Sequence, residues 1–266
     1  YKSLTFVFIS CLDLRDKVQH GLGPMNKIGK KKSFFEVSTI LFMVIFSFST
    51  AIADTEQYRF DVHIRGIKAG VLRYALNSQG EKYSIHGILE STGLVGILVR
   101  YKFDAQALGN RFGNTYQPEY YSEVSDTGRR KSEKVIRYRS GVPEVTSKKP
   151  KKPHWLDPST QKGTLDPMTA MAALLSDQLK KNLCELNLPM FDGTRRVDIT
   201  LSGLKMTEKG PRCTGVYQRI GGFTEKEWSD GESFPFILDY EFEGGLYRVK
   251  RFDITTLRGR ASFVRK

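Results

Sequence analysis

Residues 58–65, with the sequence YRFDVHIR, alternate strictly between apolar and polar side chains. The same two-residue period recurs at 83–90 and at 236–243. Successive side chains of a strand point to opposite faces of its sheet, so this period is typical of antiparallel strands with one buried and one wet face.

Short turn signals such as Asn77-Ser78-Gln79-Gly80 separate these segments, and we count about ten to twelve strands along the chain. The succession predicts a mainly β fold, in which a single curved antiparallel sheet closes into a barrel or a β-spiral and so hides its edges. The predicted strands lie near 56–65, 69–77, 81–90, 100–109, 115–124, 130–139, 194–203, 211–220, 234–243, 246–255 and 257–265.

Residues 166–182 break the two-residue period and predict one α-helix packed against the sheet. Asp166 is a good N-cap, and Pro167 is tolerated at the first helical position. Apolar residues follow at three- and four-residue steps, which forms a stripe for packing. A shorter helical turn is predicted at 92–98.

The first 53 residues are predicted to be absent from the folded protein. Residues 25–53 resemble a secretory signal peptide, with an early lysine cluster, an uncharged apolar run and a small-x-small pattern that predicts cleavage after Ala53. An uncleaved anchor is the alternative, although the run is shorter than the about 20 residues of a comfortable membrane span. We interpret residues 1–24 as a non-native upstream extension, with a genuine extension as the alternative. Residues 54–266 then form a single β-rich periplasmic domain with no transmembrane span.

Basic residues outnumber acidic ones, and the chain of 266 residues has a formal charge of +13. Residues 1–53 contain seven Lys and Arg and three Asp and Glu, so residues 54–266 keep a charge of +9. Such a surplus favours anionic neighbours, for example lipid, lipopolysaccharide or peptidoglycan. Nucleic acid would respond to the same charge, but an exported protein rarely meets it, so we expect no nucleic-acid partner.

Cys184 and Cys213 are the two cysteines that remain after residues 1–53 are removed. An exported protein reaches an oxidising compartment, so we predict a disulfide between them. Two buried free thiols are the alternative interpretation.

The densest basic run contains Lys148, Lys149, Lys151 and Lys152, interrupted by Pro150. One interpretation is an electrostatic contact with an anionic lipid or polymer. The other is a solvated, proline-stiffened loop.

Asp192, Arg195 and Arg196 form a second candidate cluster. In one interpretation they make a polar rim whose arginines bind an anion in a bidentate manner. In the other, Asp192-Gly193 makes a tight turn, with the carboxylate bonded to local backbone amides.

Several segments together resemble the proteobacterial members of domain-of-unknown-function family 3108. They are Tyr58-x-Phe60-x-Val62, Gly66-Ile67-Lys68-Ala69-Gly70, Tyr83, Ser91-Thr92-Gly93-Leu94, Asp166-Pro167, the segment from Pro189 to Arg196, and Phe252-Asp253. The resemblance covers nearly all of 56–265. It implies a periplasmic protein with a curved antiparallel sheet and without an assigned catalytic activity.

The sequence has no Gly-x-Ser-x-Gly elbow, P-loop or GxGxxG motif. We therefore expect no enzyme, no cofactor and no metal site. The predicted function is that of a non-catalytic periplasmic protein that supports cell-envelope integrity by binding an envelope component or a partner protein. One alternative is a soluble carrier or sensor of an apolar acyl-chain ligand in a half-open β-barrel; a less favoured one is an envelope-polymer hydrolase.

Overall fold

The computed structural model describes residues 54–93, 96, 100–256 and 259–266. The predicted extension at 1–24, the predicted signal peptide at 25–53 and most of the helical turn predicted at 92–98 lie outside the described residues.

Within the described residues, thirteen strands form one antiparallel sheet in the order β7-β6-β5-β4-β3-β2-β1-β13-β12-β11-β10-β9-β8. Neighbours in the sheet are neighbours in sequence except where β1 pairs with β13. The mainly antiparallel β fold predicted from the alternation is therefore confirmed. The strands are β1 Asp54–Ile64, β2 Ile67–Gln79, β3 Lys82–Ser91, β4 Lys102–Phe112, β5 Thr115–Asp126, β6 Lys131–Arg139, β7 Val142–Ser147, β8 Leu186–Phe191, β9 Arg196–Thr207, β10 Gly210–Gly221, β11 Ser233–Glu243, β12 Leu246–Thr256 and β13 Gly259–Arg265.

The alternation places apolar side chains on one face of the sheet. In β1, Tyr58, Phe60 and Val62 are buried in the core, and Phe60 has no exposed surface. The sheet curls around this face, so that the turn after β8 meets β6: the ammonium of Lys134 donates to the carbonyl oxygen of Asp192. The apolar face thus becomes the interior of a half-open barrel.

Helix α1, Pro167–Leu175, fills that interior, and all nine of its residues are buried. It contacts β3, β4, β5 and β8. The carboxylate of Asp166 caps the helix, since its Oδ1 accepts hydrogen bonds of 2.9 Å from the amides of Met168 and Thr169.

The predicted helix at 166–182 is too long, because α1 ends at Leu175. Ser176 is extended, with ψ 154°, and the backbone of Gln178 exchanges two hydrogen bonds with Tyr247 at the start of β12. Pairing with the sheet therefore competes with the last helical turns and replaces them. A second short helix, α2 (Glu225–Ser229), was not predicted; Thr224 and Glu227 form a capping box at its start.

The strand count exceeds the prediction because β7 and β8 were missed. These two strands are the edges of the sheet, they do not pair with each other, and each contains a proline, Pro143 or Pro189. Proline does not explain the omission, because Pro118 in β5 and Pro235 in β11 lie in interior strands that were predicted. β7 and β8 have only six residues each, too few for a sustained two-residue period. Leu165 covers the β8 edge by pairing in parallel with Met190. The sheet is therefore curled but not closed.

A disulfide joins Cys184, just before β8, to Cys213 on β10, with their Cα atoms 5.3 Å apart. Both residues are buried in the core. The bond ties the segment that follows α1 to the second strand in from the β8 edge.

Candidate functional site

Strand register brings two basic segments to the same end of the sheet. Asp126 pairs with Lys131, which closes the β5–β6 hairpin, and Lys134 pairs with Ser147, so β7 ends beside the tip of that hairpin. We call the exposed cations of this tip and of the loop after β7 the basic rim. Its members are Arg129, Arg130, Lys131, Lys148, Lys149, Lys151 and Lys152, all exposed.

The basic rim keeps a surplus of positive charge. Three carboxylates belong to the same segments, Asp126, Glu133 and Asp157, against seven cations. The ammonium of Lys148 lies 3.5 Å from Glu133 Oε2, but 90% of the Lys148 side chain is exposed, and exposed pairs contribute little. Hydrogen bonds from Ser159, aided by the charge of Lys151, hold the pKa of Asp157 below its ordinary value, so this carboxylate stays ionised. The net charge of the rim is therefore about +4 at neutral pH.

Asp192 lies in the turn between β8 and β9. Its Oδ1 accepts hydrogen bonds of 2.8 Å from the amides of Thr194 and Arg195, which is the local turn geometry that the sequence offered as one interpretation. Burial favours the neutral acid, but the charges of Lys134 and Arg195 outweigh it and hold the pKa of Asp192 below its ordinary value.

The two arginines of this turn are engaged by carboxylates of the protein. Arg195 donates to Glu227 Oε1 over 2.8 Å, and its side chain is only 12% exposed. Arg196 pairs with Asp198 at 3.3 Å. Both arginines therefore belong to ion pairs within the fold, and neither is a member of the basic rim. A contact of Arg195 or Arg196 with an external anion stays a prediction.

Sequence reasoning missed a charged cluster beside this turn. Lys134 Nζ lies 3.3 Å from Glu123 Oε1, and the hydroxyl of Tyr121 donates to Glu123 Oε2 over 2.6 Å. Both members of the ion pair are nearly buried, with 14% and 7% of their side chains exposed. One feature of the sequence could have indicated this cluster. Glu123 lies between Tyr121 and Ser125 at an inward position of β5, and a buried charge needs a partner.

The interior between α1 and strands β2–β4 is packed. The space there amounts to about 10 Å³, which is room for about one water molecule. A Cβ built on Gly87 would lie 2.4 Å from the terminal methyl of Met168, so the helix side chain occupies the space beside this glycine. The apolar sheet face is a filled core in this region.

The two histidines on early strands are separated in the structure. His63 lies on β1 and His86 on β3, with β2 between them. His86 Nε2 lies 2.9 Å from Asp104 Oδ1 at the surface. In the part of the chain that the structure describes, no three His, Cys, Asp or Glu side chains are grouped to hold a metal ion.

None of the helices in the described ranges is both long enough and apolar enough to cross a bilayer.

Comparison with known proteins gives a family and similar solved structures. No curated protein matches the chain. The crystal structure of a β-barrel-like protein of domain of unknown function DUF1849 from Brucella abortus is similar, at 13% sequence identity and a TM-score of 0.44, over 81% of this chain and 97% of that one. The family model "Protein of unknown function (DUF3108)" matches residues 59–211, from β1 to the start of β10 and more than half of the chain. The protein therefore belongs to the DUF3108 family, whose function is unknown.

Proposed function

We propose that this protein is an exported, non-catalytic binding protein of the periplasm, which supports the cell envelope by contacting an anionic envelope component through the basic rim. The observation that carries the proposal is the convergence of seven exposed cations from two chain segments on one end of the sheet, with three carboxylates beside them.

The chemistry of the rim favours recognition of a charged surface. Its ammonium and guanidinium groups bind phosphates and carboxylates, and each Lys near an anionic bilayer contributes about 1 kcal/mol. Pro150 and Pro153 stiffen the loop, and Pro150 separates the two pairs of lysines along it. A spread row of cations suits a surface with repeated charges, such as a layer of phosphate headgroups.

An acyl-chain carrier is the weaker candidate. A carrier needs a cavity of about 300 Å³ or more. Between α1 and β2–β4 the space is only about 10 Å³. Carrying a chain there would require α1, with its nine buried residues, to leave the interior.

Vesicle co-flotation tests the proposal. The purified protein should float with vesicles of phosphatidylglycerol and phosphatidylethanolamine, and it should stay behind with phosphatidylcholine alone. Added salt should release it, because exposed charges are screened. A variant with Lys148, Lys149, Lys151 and Lys152 all changed to Gln should no longer float.

A matched variant controls for overall charge. Four other lysines are also exposed and lie after α1, near the end of β9 and in the β9–β10 turn: Lys180, Lys181, Lys205 and Lys209. Changing these four to Gln alters the net charge by the same amount and should leave flotation intact. Equal loss in both variants would mean that total charge acts instead of the rim, and flotation of the rim variant at the wild-type level would refute the proposal.

A further inference from the structure

A groove of about 340 Å³ crosses the outer face of the sheet over β9–β13. Side chains alternate along these strands, so Cys213, Tyr217 and Phe236 point into the core while Thr214 and Ile237 point outward. The volume lies within the range of about 300–1,000 Å³ that is typical of small-molecule sites. None of the residues of the basic rim lines this groove.

Strand register explains the shape of the groove. Thr214 on β10 lies opposite Ile237 on β11, and Val216 lies opposite Pro235. These side chains are short or compact, so they form a low floor on a sheet face that elsewhere bears long charged side chains. Val216, Pro235 and Ile237 are apolar, so the floor contains an apolar strip whose exposure to water is unfavourable.

A charged group stands at one end of the strip. Asp253, on β12, lies opposite Ile237 of β11. Its Oδ2 lies 2.8 Å from Arg251 Nε and 3.0 Å from Arg260 Nη2. The Asp253 side chain is 7% exposed, whereas that of Arg260 is 57% exposed. Of the two guanidinium groups that share this carboxylate, Arg260 lines the groove and Arg251 lies outside the lining. The three groups together carry one positive charge, and Arg260 is the cation that faces solvent in the groove.

We propose that the groove binds a single-chain amphiphile with an anionic head. The head, a carboxylate or a phosphate, pairs with Arg260, which Asp253 holds in place. The chain lies along Val216, Pro235 and Ile237 and removes this strip from water. The site differs in face and residues from the basic rim, so either can fail without the other.

Isothermal titration with defined probes tests the site. Decanoate and decyl phosphate, kept below their micelle-forming concentrations, should bind saturably with one molecule per chain, and decanol should bind at least about tenfold more weakly because it lacks the charge. The tighter of the two anions identifies the preferred head. Absence of saturable binding by both, or equal binding of decanol, would overturn the proposal.

Two variants localise the binding. Arg260→Gln should weaken both anions about tenfold and leave decanol unchanged. Thr214→Trp, at an exposed position, should block the groove and abolish binding of all three probes while the melting temperature stays near that of the wild type. Arg73→Gln is the matched control, because Arg73 pairs with Glu90 elsewhere on the sheet. Wild-type affinity in the Thr214→Trp variant would place the amphiphile elsewhere and overturn the assignment.

Discussion

The terminal methyl of Met168 lies where a side chain on Gly87 would begin: a Cβ added to Gly87 would be 2.4 Å from that methyl carbon and 3.0 Å from the Met168 sulfur. Gly87 belongs to β3 and Met168 to α1. Helix α1 therefore packs closely against the sheet at this contact. Around the contact, the interior of the curled sheet is a filled core.

Enlarging Gly87 should therefore destabilise the fold. Gly87→Ala is expected to lower the free energy of unfolding by about 1–3 kcal/mol, as overpacked cores do. Urea denaturation measures it. In a Met168→Ala background the same substitution should cost less, because the two closest atoms are gone and the next nearest, Tyr74 Cβ, lies 3.1 Å from the new Cβ. Strictly additive effects in this double-mutant cycle would show that the two residues do not compete for the space.

The disulfide should contribute measurably to stability. Cys184 and Cys213 are separated by 29 positions, and closing a loop of this size stabilises a fold by about 3–4 kcal/mol in the chain-entropy model. Cys184→Ser should lower the melting temperature under oxidising conditions. A reductant should lower that of the wild type and leave that of the variant unchanged. Identical melting of both proteins without reductant would contradict a stabilising bond.

Asp166 should make stability depend on pH between about 4 and 6. Complete burial raises the pKa of its carboxyl from 3.8 to about 6 in the folded protein. The folded state then takes up a proton before the unfolded state does, so protonation of this group stabilises the fold as the pH falls from 6 to 4. Above pH 6 the buried charge opposes folding in full.

Asp166→Asn isolates this effect, since asparagine also caps helices and carries no charge. Relative to the wild type, the variant should gain stability as the pH rises from about 4 to 6. Carboxyls with lowered pKa values, such as Asp192 and Asp253, act in the opposite direction, but they are common to both proteins. A difference between the two unfolding free energies that is constant with pH would refute the raised pKa.

Export can be checked directly at the protein's N-terminus. Expression of the chain from Met25 in a Gram-negative host should give a periplasmic protein that begins at Asp54, because the signal is predicted to end at Ala53. N-terminal sequencing of the periplasmic extract measures this. Retention in the cytosol with both thiols reduced would contradict the predicted location.

Local patterns predicted the body of the sheet but not its edges. Alternation at 58–65 and 236–243 corresponds to β1 and β11, and most of their inward apolar side chains are buried as expected. Phe242 is the exception, because it lies at the end of β11 and is 65% exposed. The two edge strands, β7 and β8, were missed because each has only six residues, too few for a sustained alternation. The helix was overextended because its apolar spacing continues to Leu179, although the backbone of Gln178 pairs with β12.

The candidate site was likewise predicted only in part from the sequence. The lysines of 148–152 stand out in the sequence, but their proximity to Arg129, Arg130 and Lys131 depends on how β5, β6 and β7 pair. The groove on the outer face has no sequence motif, since its lining comes from five strands.

Side-chain periodicity and charge by themselves determined the β class, the inward face of the strands and the most basic loop, since each depends on residues a few positions apart. Long-range pairing decided which strands became edges, where α1 stopped and which charges were neutralised. The physical reason is that hydrogen-bond partners and ion-pair partners such as Arg195 and Glu227 lie far apart along the chain, and only folding brings them into contact.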